Sequence, residues 1–247
     1  MNQNVDANIL IHPKRGKNEK QLPAVGVLLV NPSEASRCHR QLRQSTGEAR
    51  PLFNSDLTVA REKSFFVAGP AIGSPMAALS MEKLIALGAK RIILFGWCGA
   101  LADTLRVGDV VLPLEARSGE GTSHYYPLQG AAAAPSMKLR SYLDRAYSEA
   151  NVRVLGGCVW STDAVYREER QMLRDLHEQQ GVSAVDMEFS ALCSVALFRT
   201  IEFAAVLIVS DELWGKTWRP GFSSEKFLTS KTRALDVLLD VIADLGE

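Results

Sequence analysis

Few cysteines, no excess charge of either sign and no long apolar run mark this sequence, and each absence removes a class of protein. Cys38, Cys98, Cys158 and Cys193 are the only thiols in 247 residues, and no two form a Cys-x-x-Cys pair. That spacing speaks against a disulfide framework or a zinc ribbon and predicts reduced thiols in a cytoplasmic protein. The 28 basic and 28 acidic side chains leave a formal net charge of zero. The electrostatic footprint that nucleic acid or an anionic membrane requires is missing. No stretch is apolar over the ~20 residues a membrane helix needs, and the opening MNQNVDANIL lacks the apolar core of a signal peptide. No Gly-x-Gly-x-x-Gly follows the first apolar run, which argues against a dinucleotide-binding enzyme. With 47% hydrophobic and 23% charged residues, the composition is that of an ordinary globular domain.

What is present is a series of short apolar runs, several of which end in a carboxylate. Residues 24–30 (AVGVLLV) read as a buried parallel strand running into Asn31, Pro32, Ser33 and Glu34. A second run ends in Asp186, Met187 and Glu188, a helix-like segment follows, and residues 203–209 lead into Ser210, Asp211 and Glu212. Strand, helix and strand predict a right-handed βαβ unit with its two strand ends side by side. Open α/β sheets bind ligands beyond the carboxyl ends of their strands, so Glu34, Glu188 and Asp211 are candidate site residues. The plainer reading is that Glu188 merely suits a helix N-terminus and Asp211 a turn.

The expected fold class is α/β: one domain over residues 24–247, with a mixed, twisted central sheet and helices on both faces. A polar, basic arm (residues 1–23) precedes it and is expected to lie on another subunit. Residues 36–55 read as a solvated helix and loop. Ser74 is the expected N-cap of a helix that Pro75 opens and Gly88 follows. The small-residue loop before it, with Gly73, exposes N–H groups. Gly96 and Gly99 are expected to flank a tight turn holding Trp97 and Cys98, where backbone can approach a ligand. Residues 115–126 read as a polar functional loop and 214–220 as a basic-aromatic one.

Taken in order, the turn at Glu34, the run IGSPMAALSMEKL, FGWCGAL with VGDVVLP, EGTSHYY, STDAVYRE, VDME and VSDEL resemble the nucleoside phosphorylase and nucleosidase superfamily over about residues 24–213. The resemblance implies cleavage of the N-glycosidic bond of a nucleoside, with no cofactor and inorganic phosphate as a possible co-substrate. It further implies a homo-oligomer. Asp211, after Ser210, matches the acid that protonates a purine leaving group; Met187 and Glu188 match the ribose contact. Gly73, Trp97, Cys98, Gly99, Val165 and Tyr166 fall at substrate-binding positions.

Departures from the family pattern decide what acceptor to expect. Phosphorolytic members carry a glycine turn and an arginine after the first strand, whereas this chain has Glu34 there. Leu94 takes the place of a second arginine and Trp97 that of a hydroxyl. Nucleosidases place a water-activating glutamate where Glu34 stands. Arg37, Arg40 and Arg43 are close enough in sequence to rebuild an anion site, so phosphorolysis and hydrolysis both stay open. Val165 replaces the aromatic expected to stack on the base, with Tyr166 beside it. His12 is a candidate for the histidine that some members lend to a neighbour. The alternative to an enzyme is a non-catalytic nucleoside-binding protein of the same fold.

Overall fold

The computed structural model describes residues 9–45, 47–60, 65–128 and 130–245. The first eight residues of the expected arm lie outside it. Residues 14–22 lie along their own chain. Lys83 Nζ donates to Lys14 O at 2.9 Å, Leu22 N–H donates to Leu87 O at 2.9 Å, and Leu22 is buried.

In chain order the elements are β1 (Val25–Leu29), α1 (Pro32–Gln44), β2 (Glu48–Leu52), β3 (Ser55–Val59), β4 (Phe65–Gly69), α2 (Ser74–Ala86) and β5 (Arg91–Ala100). Then come β6 (Val110–Val111), β7 (Glu115–Gly119), a 3-10 turn (Thr122–Tyr125), α3 (Met137–Glu149), β8 (Val154–Leu155) and β9 (Cys158–Thr162). A second 3-10 turn (Val165–Arg167), α4 (Arg170–Gln180), β10 (Val182–Asp186), α5 (Phe189–Arg199), β11 (Glu202–Glu212), β12 (Arg219–Pro220) and α6 (Glu225–Leu245) complete the chain.

All twelve strands belong to one mixed sheet. β5 is its axis. One edge of β5 pairs with β1 in parallel from Arg91 to Phe95, then with β10 antiparallel at Gly99 and Ala100. The other edge pairs in parallel with β11 from Arg91 to Ala100. Side chains of β5 alternate between two cores, as a strand's period of two demands. Ile92, Leu94 and Cys98 pack with Met81 and Leu84 of α2 and with Leu192 and Val195 of α5. Ile93 and Phe95 pack with Cys38 of α1, Leu143 of α3 and Leu238 of α6. Helices therefore cover both faces of a single domain, as expected from the apolar runs.

The structure corrects the sequence reading at five places. β10 and β11 are not neighbours: β5 lies between them and runs antiparallel to β10, so no parallel βαβ unit forms there. Residues 96–99 are strand, not turn, because β11 pairs with β5 along its whole length. Residues 48–59 form the β2–β3 hairpin instead of a loop. Its outer strand, EARPL, is polar and holds a proline, which hides it from a hydrophobic pattern and suits a sheet edge. Residues 115–119 form a strand within the expected loop. Gly73, not Ser74, caps α2, at φ 82°, a left-handed conformation that favours glycine.

The α3–α6 contact supplies a check on the packing. Tyr147 is fully buried and its hydroxyl donates to Ala234 O at 2.7 Å. Tyr147→Phe keeps the ring and removes that bond, so urea unfolding should show a loss of about 1 kcal/mol with an unchanged slope.

Candidate active site

The carboxyl ends of β1, β5 and β11 meet at one rim, and four acids approach it from different elements. Asp186 closes β10 and is buried. It accepts hydrogen bonds from Ser161 Oγ at 2.5 Å and from the N–H groups of Glu188 at 3.2 Å and Phe189 at 2.7 Å. A carboxylate at the first turn of α5 satisfies N–H groups that the helix cannot and meets the positive end of its dipole. Burial pushes the Asp186 carboxyl up from its ordinary value, with the bonds from Ser161 and Phe189 acting against that shift.

That anchor fixes Met187 and Glu188. Ser74 Oγ donates to Met187 O at 2.6 Å, and Gly73 N–H donates to Glu188 Oε1 at 2.6 Å. Glycine suits this contact through its positive φ and not through tight packing, since a Cβ on Gly73 would meet open space. The loop is itself tied to β1, since Ala71 N–H lies 3.0 Å from Leu29 O and 3.1 Å from Val30 O. Burial, reinforced by the negative charge of Asp186, raises the Glu188 carboxyl well above the usual carboxylate range.

Asp211 reaches the same rim on the opposite flank of β5, in register with Gly99. A Cβ at Gly99 would fall 3.2 Å from Asp211 Oδ2, 3.2 Å from Val185 Cγ1 and 2.7 Å from Leu213 Cδ1, so strand and acid approach closely only because residue 99 has no side chain. Ser210 Oγ donates to Asp211 Oδ1 at 2.6 Å and Trp218 Nε1 to Oδ2 at 2.8 Å. Cys98 is buried toward α2 and α5, and burial pushes its thiol far up, so it contributes backbone and packing but no nucleophile.

Glu34 arrives at the end of β1 but turns toward α6. Its carboxylate accepts from Ser33 Oγ at 2.9 Å and pairs with Lys231 Nζ at 2.7 Å. Lys231 lies 5.1 Å over the Trp97 ring, and Trp97 packs edge-on against Phe227 at 5.1 Å. The chain thus brings Glu188 and Met187 against the Gly73–Ser74 loop, and Ser210 and Asp211 against residues 98–99. Glu34 and Trp97 form an adjoining cluster on the α6 side of the same rim.

The remaining expected contacts are open to solvent or engaged by other partners within this chain. Val165 is 43% and Tyr166 99% exposed, and His12 is exposed. Arg37 and Arg43 are engaged by Asp236 and Asp56. With Arg40, Arg43 lines a groove of about 500 Å³ on the outer side of α1, together with Ser36, His39, Gln44 and Asp56, away from Glu188 and Asp211.

Three residues of the site escaped sequence reasoning. Glu120, in EGTSHYY, is a buried organising carboxylate that accepts from Ser118 Oγ at 2.8 Å, Ser190 Oγ at 2.8 Å and both Ser123 N–H and Oγ. Burial works to raise its carboxyl, but these donors outweigh it and hold the group below its ordinary value. The run of serines around it is the signal that was present. Glu168, the last residue of STDAVYRE, is pushed up to about 7 by burial and by the charge of Asp211. Lys231 left no local trace, because it lies 197 positions from Glu34 on an amphipathic helix.

Against this geometry, the family model for the phosphorylase superfamily matches residues 24–243. The chain belongs to the phosphorylase superfamily. Among curated members, it is 26% identical over 183 residues to the guanosine phosphorylase of Halorubrum lacusprofundi, covering 72% of this chain and 76% of that protein. It is 29% identical over 180 residues to the DeoD-type purine nucleoside phosphorylase of Bacillus thuringiensis, covering 72% and 75%. Its fold is shared with the Toxoplasma gondii purine nucleoside phosphorylase solved with immucillin-H, at a TM-score of 0.79 and 22% identity over 96% of this chain and 97% of that one. The AMP nucleosidase of Bacteroides thetaiotaomicron matches at a TM-score of 0.69 and 23% identity, over 89% and 90%. No helix among the described residues is long and apolar enough to cross a membrane.

The raised Glu188 carboxyl has a testable sign. A carboxyl that holds its proton more tightly when folded makes the native state bind more protons than the unfolded chain at pH values above the ordinary 4.5. Stability then falls as pH rises from there into the neutral range. Glu188→Gln removes that slope. Urea midpoints taken at about pH 5 and about pH 8 should converge in the variant relative to the parent protein.

Proposed function

We propose that this member of the phosphorylase superfamily cleaves the N-glycosidic bond of a purine nucleoside. The observation that carries the reading is that β10, which leads to Glu188, and β11, which carries Asp211, flank β5 at Gly99. Breaking the bond leaves negative charge on the base and positive charge on the sugar, so an acid is needed at the base and oriented polar groups at the ribose. Asp211 is the group we assign to proton delivery at the base, where Ser210 and Trp218 orient it. Glu188 and the Met187 segment hold the ribose hydroxyls, with Gly73 N–H fixing the carboxylate. A carboxyl that keeps its proton can both donate to and accept from ribose hydroxyls, which fixes the sugar for bond cleavage. The names of the curated relatives, guanosine phosphorylase and purine nucleoside phosphorylase, support the purine assignment.

The reading includes a homo-oligomer, whose order light scattering would give. Leu10, Ile11 and Tyr166 are 97%, 87% and 99% exposed in the single chain, large apolar groups that a neighbouring copy would cover. The decisive experiment is a panel of purine and pyrimidine nucleosides assayed for base release. Purine release is expected, and Asp211→Asn should lower kcat by ~10²–10⁴-fold with a small change in KM. Tight nucleoside binding with no turnover would instead identify a non-catalytic binding protein.

A further inference from the structure

The arginines of α1 take no part in the site described above, and two of them share a groove of their own. Arg37, Arg40 and Arg43 recur at every third residue, about one helical turn apart. Like charges at neighbouring turns repel unless negative charge lies against them. Arg37 is engaged by Asp236 of α6, and Arg43 Nη2 donates to Asp56 Oδ2 of β3 at 2.7 Å. Arg40, between them, has no hydrogen-bond or ion-pair partner among the described residues.

Arg40 and Arg43 line the groove of about 500 Å³ with Ser36, His39, Gln44 and Asp56. None of these residues is among those that hold Glu188 or Asp211. His39 is the buried member of the lining, and both its ring nitrogens are taken, by Thr58 Oγ1 at 2.9 Å and Gly69 O at 3.0 Å. A carbonyl oxygen only accepts, so Nε2 carries the proton and Nδ1 accepts from the Thr58 hydroxyl. Burial pulls the ring below the ordinary histidine value, which keeps it neutral. The charge of the groove therefore rests on two guanidinium groups against the single carboxylate of Asp56.

Asp56 holds Arg43 through Nη2 and leaves its Nε and Nη1 to donate elsewhere. Arg40 has its whole fork to offer. Side chains one turn apart start ~5–6 Å from each other at Cβ, so the two forks can close on one group from two sides. A carboxylate pairs with one fork through its two oxygens. A phosphoryl group presents three oxygens and up to two charges, enough to meet both. Ser36 Oγ and the Gln44 amide add neutral donors. The volume falls within the ~300–1,000 Å³ of small-molecule sites, so a phosphate ester has room for its organic part.

We propose that this groove on α1 binds a phosphoryl group, clasped by Arg40 and Arg43, at a place separate from the nucleoside site. The group arrives either as inorganic phosphate or as a phosphate monoester. The assignment stands whether or not the chain cleaves glycosidic bonds.

The test titrates inorganic phosphate, ribose 5-phosphate and ribose into the full chain by calorimetry, in a buffer free of phosphate and sulfate. Phosphate or ribose 5-phosphate should fill one site per chain that Arg40→Met weakens about tenfold, the worth of one bond from a charged donor. Arg40→Lys keeps the charge without the fork and should fall between the two. Equal affinity for both anions makes free phosphate the ligand, and tighter binding of ribose 5-phosphate makes it an ester. Arg40 is exposed and touches neither Glu188 nor Asp211, so the melting temperature and any base release from nucleosides should match the parent protein. Anion binding that Arg40→Met leaves unaltered overturns the site, as does the absence of binding by both anions at millimolar concentration. Ribose binding that Arg40→Met weakens as much as it weakens ribose 5-phosphate overturns the phosphoryl assignment.

Discussion

The active-site end of the molecule depends on one buried carboxylate. Asp186 gathers a hydroxyl from β9 and two N–H groups from the start of α5, and Ser161 in turn accepts from Ser190 N–H at 2.9 Å. These bonds set where α5 begins, and Glu188 is the residue at that point. If Asp186 were replaced by an apolar side chain, two helix N–H groups and a hydroxyl would be stranded in the interior, and Glu188 would lose both its position and the charge that keeps its proton bound. A short polar network thus connects fold stability to the protonation of Glu188.

The second constraint is the sheet. β5 is flanked by β11 along ten residues, and on its other edge β1 gives way to β10. That exchange is what allows residues from β10 and β11 to face each other across β5, although the two strands share no hydrogen bond. It also separates two clusters on the rim. Cys98 faces α2 and α5, whereas Trp97 faces α6 and the Glu34–Lys231 pair.

Much of this was legible in the sequence, for reasons that can be named. β1, β4 and β11 are continuous apolar runs because both of their faces are covered, and α6 announces itself by apolar residues at helical spacing. The residues at the rim stood out because carboxylates directly followed buried runs. What could not be read was strand order: local pattern makes 182–212 look like adjacent parallel strands, and only the pairing preferences of β5, far away in sequence, insert it between them. Nor does any local pattern reveal that Lys231 crosses to Glu34, since a lysine on an amphipathic helix is normally a solvated one. The β2–β3 hairpin was hidden because an exposed edge strand is under no pressure to look hydrophobic.

Gly99 draws these two constraints together. The space a methyl group would take there is already filled from both sides, by Asp211 and Leu213 on one wall and Val185 on the other. Any side chain at that position would push both walls apart at once. A substitution at residue 99 cannot move Asp211 of β11 while sparing Val185 of β10. Residues 163–167 and 216–220 are exposed and can vary without meeting that constraint, while the centre of the sheet cannot.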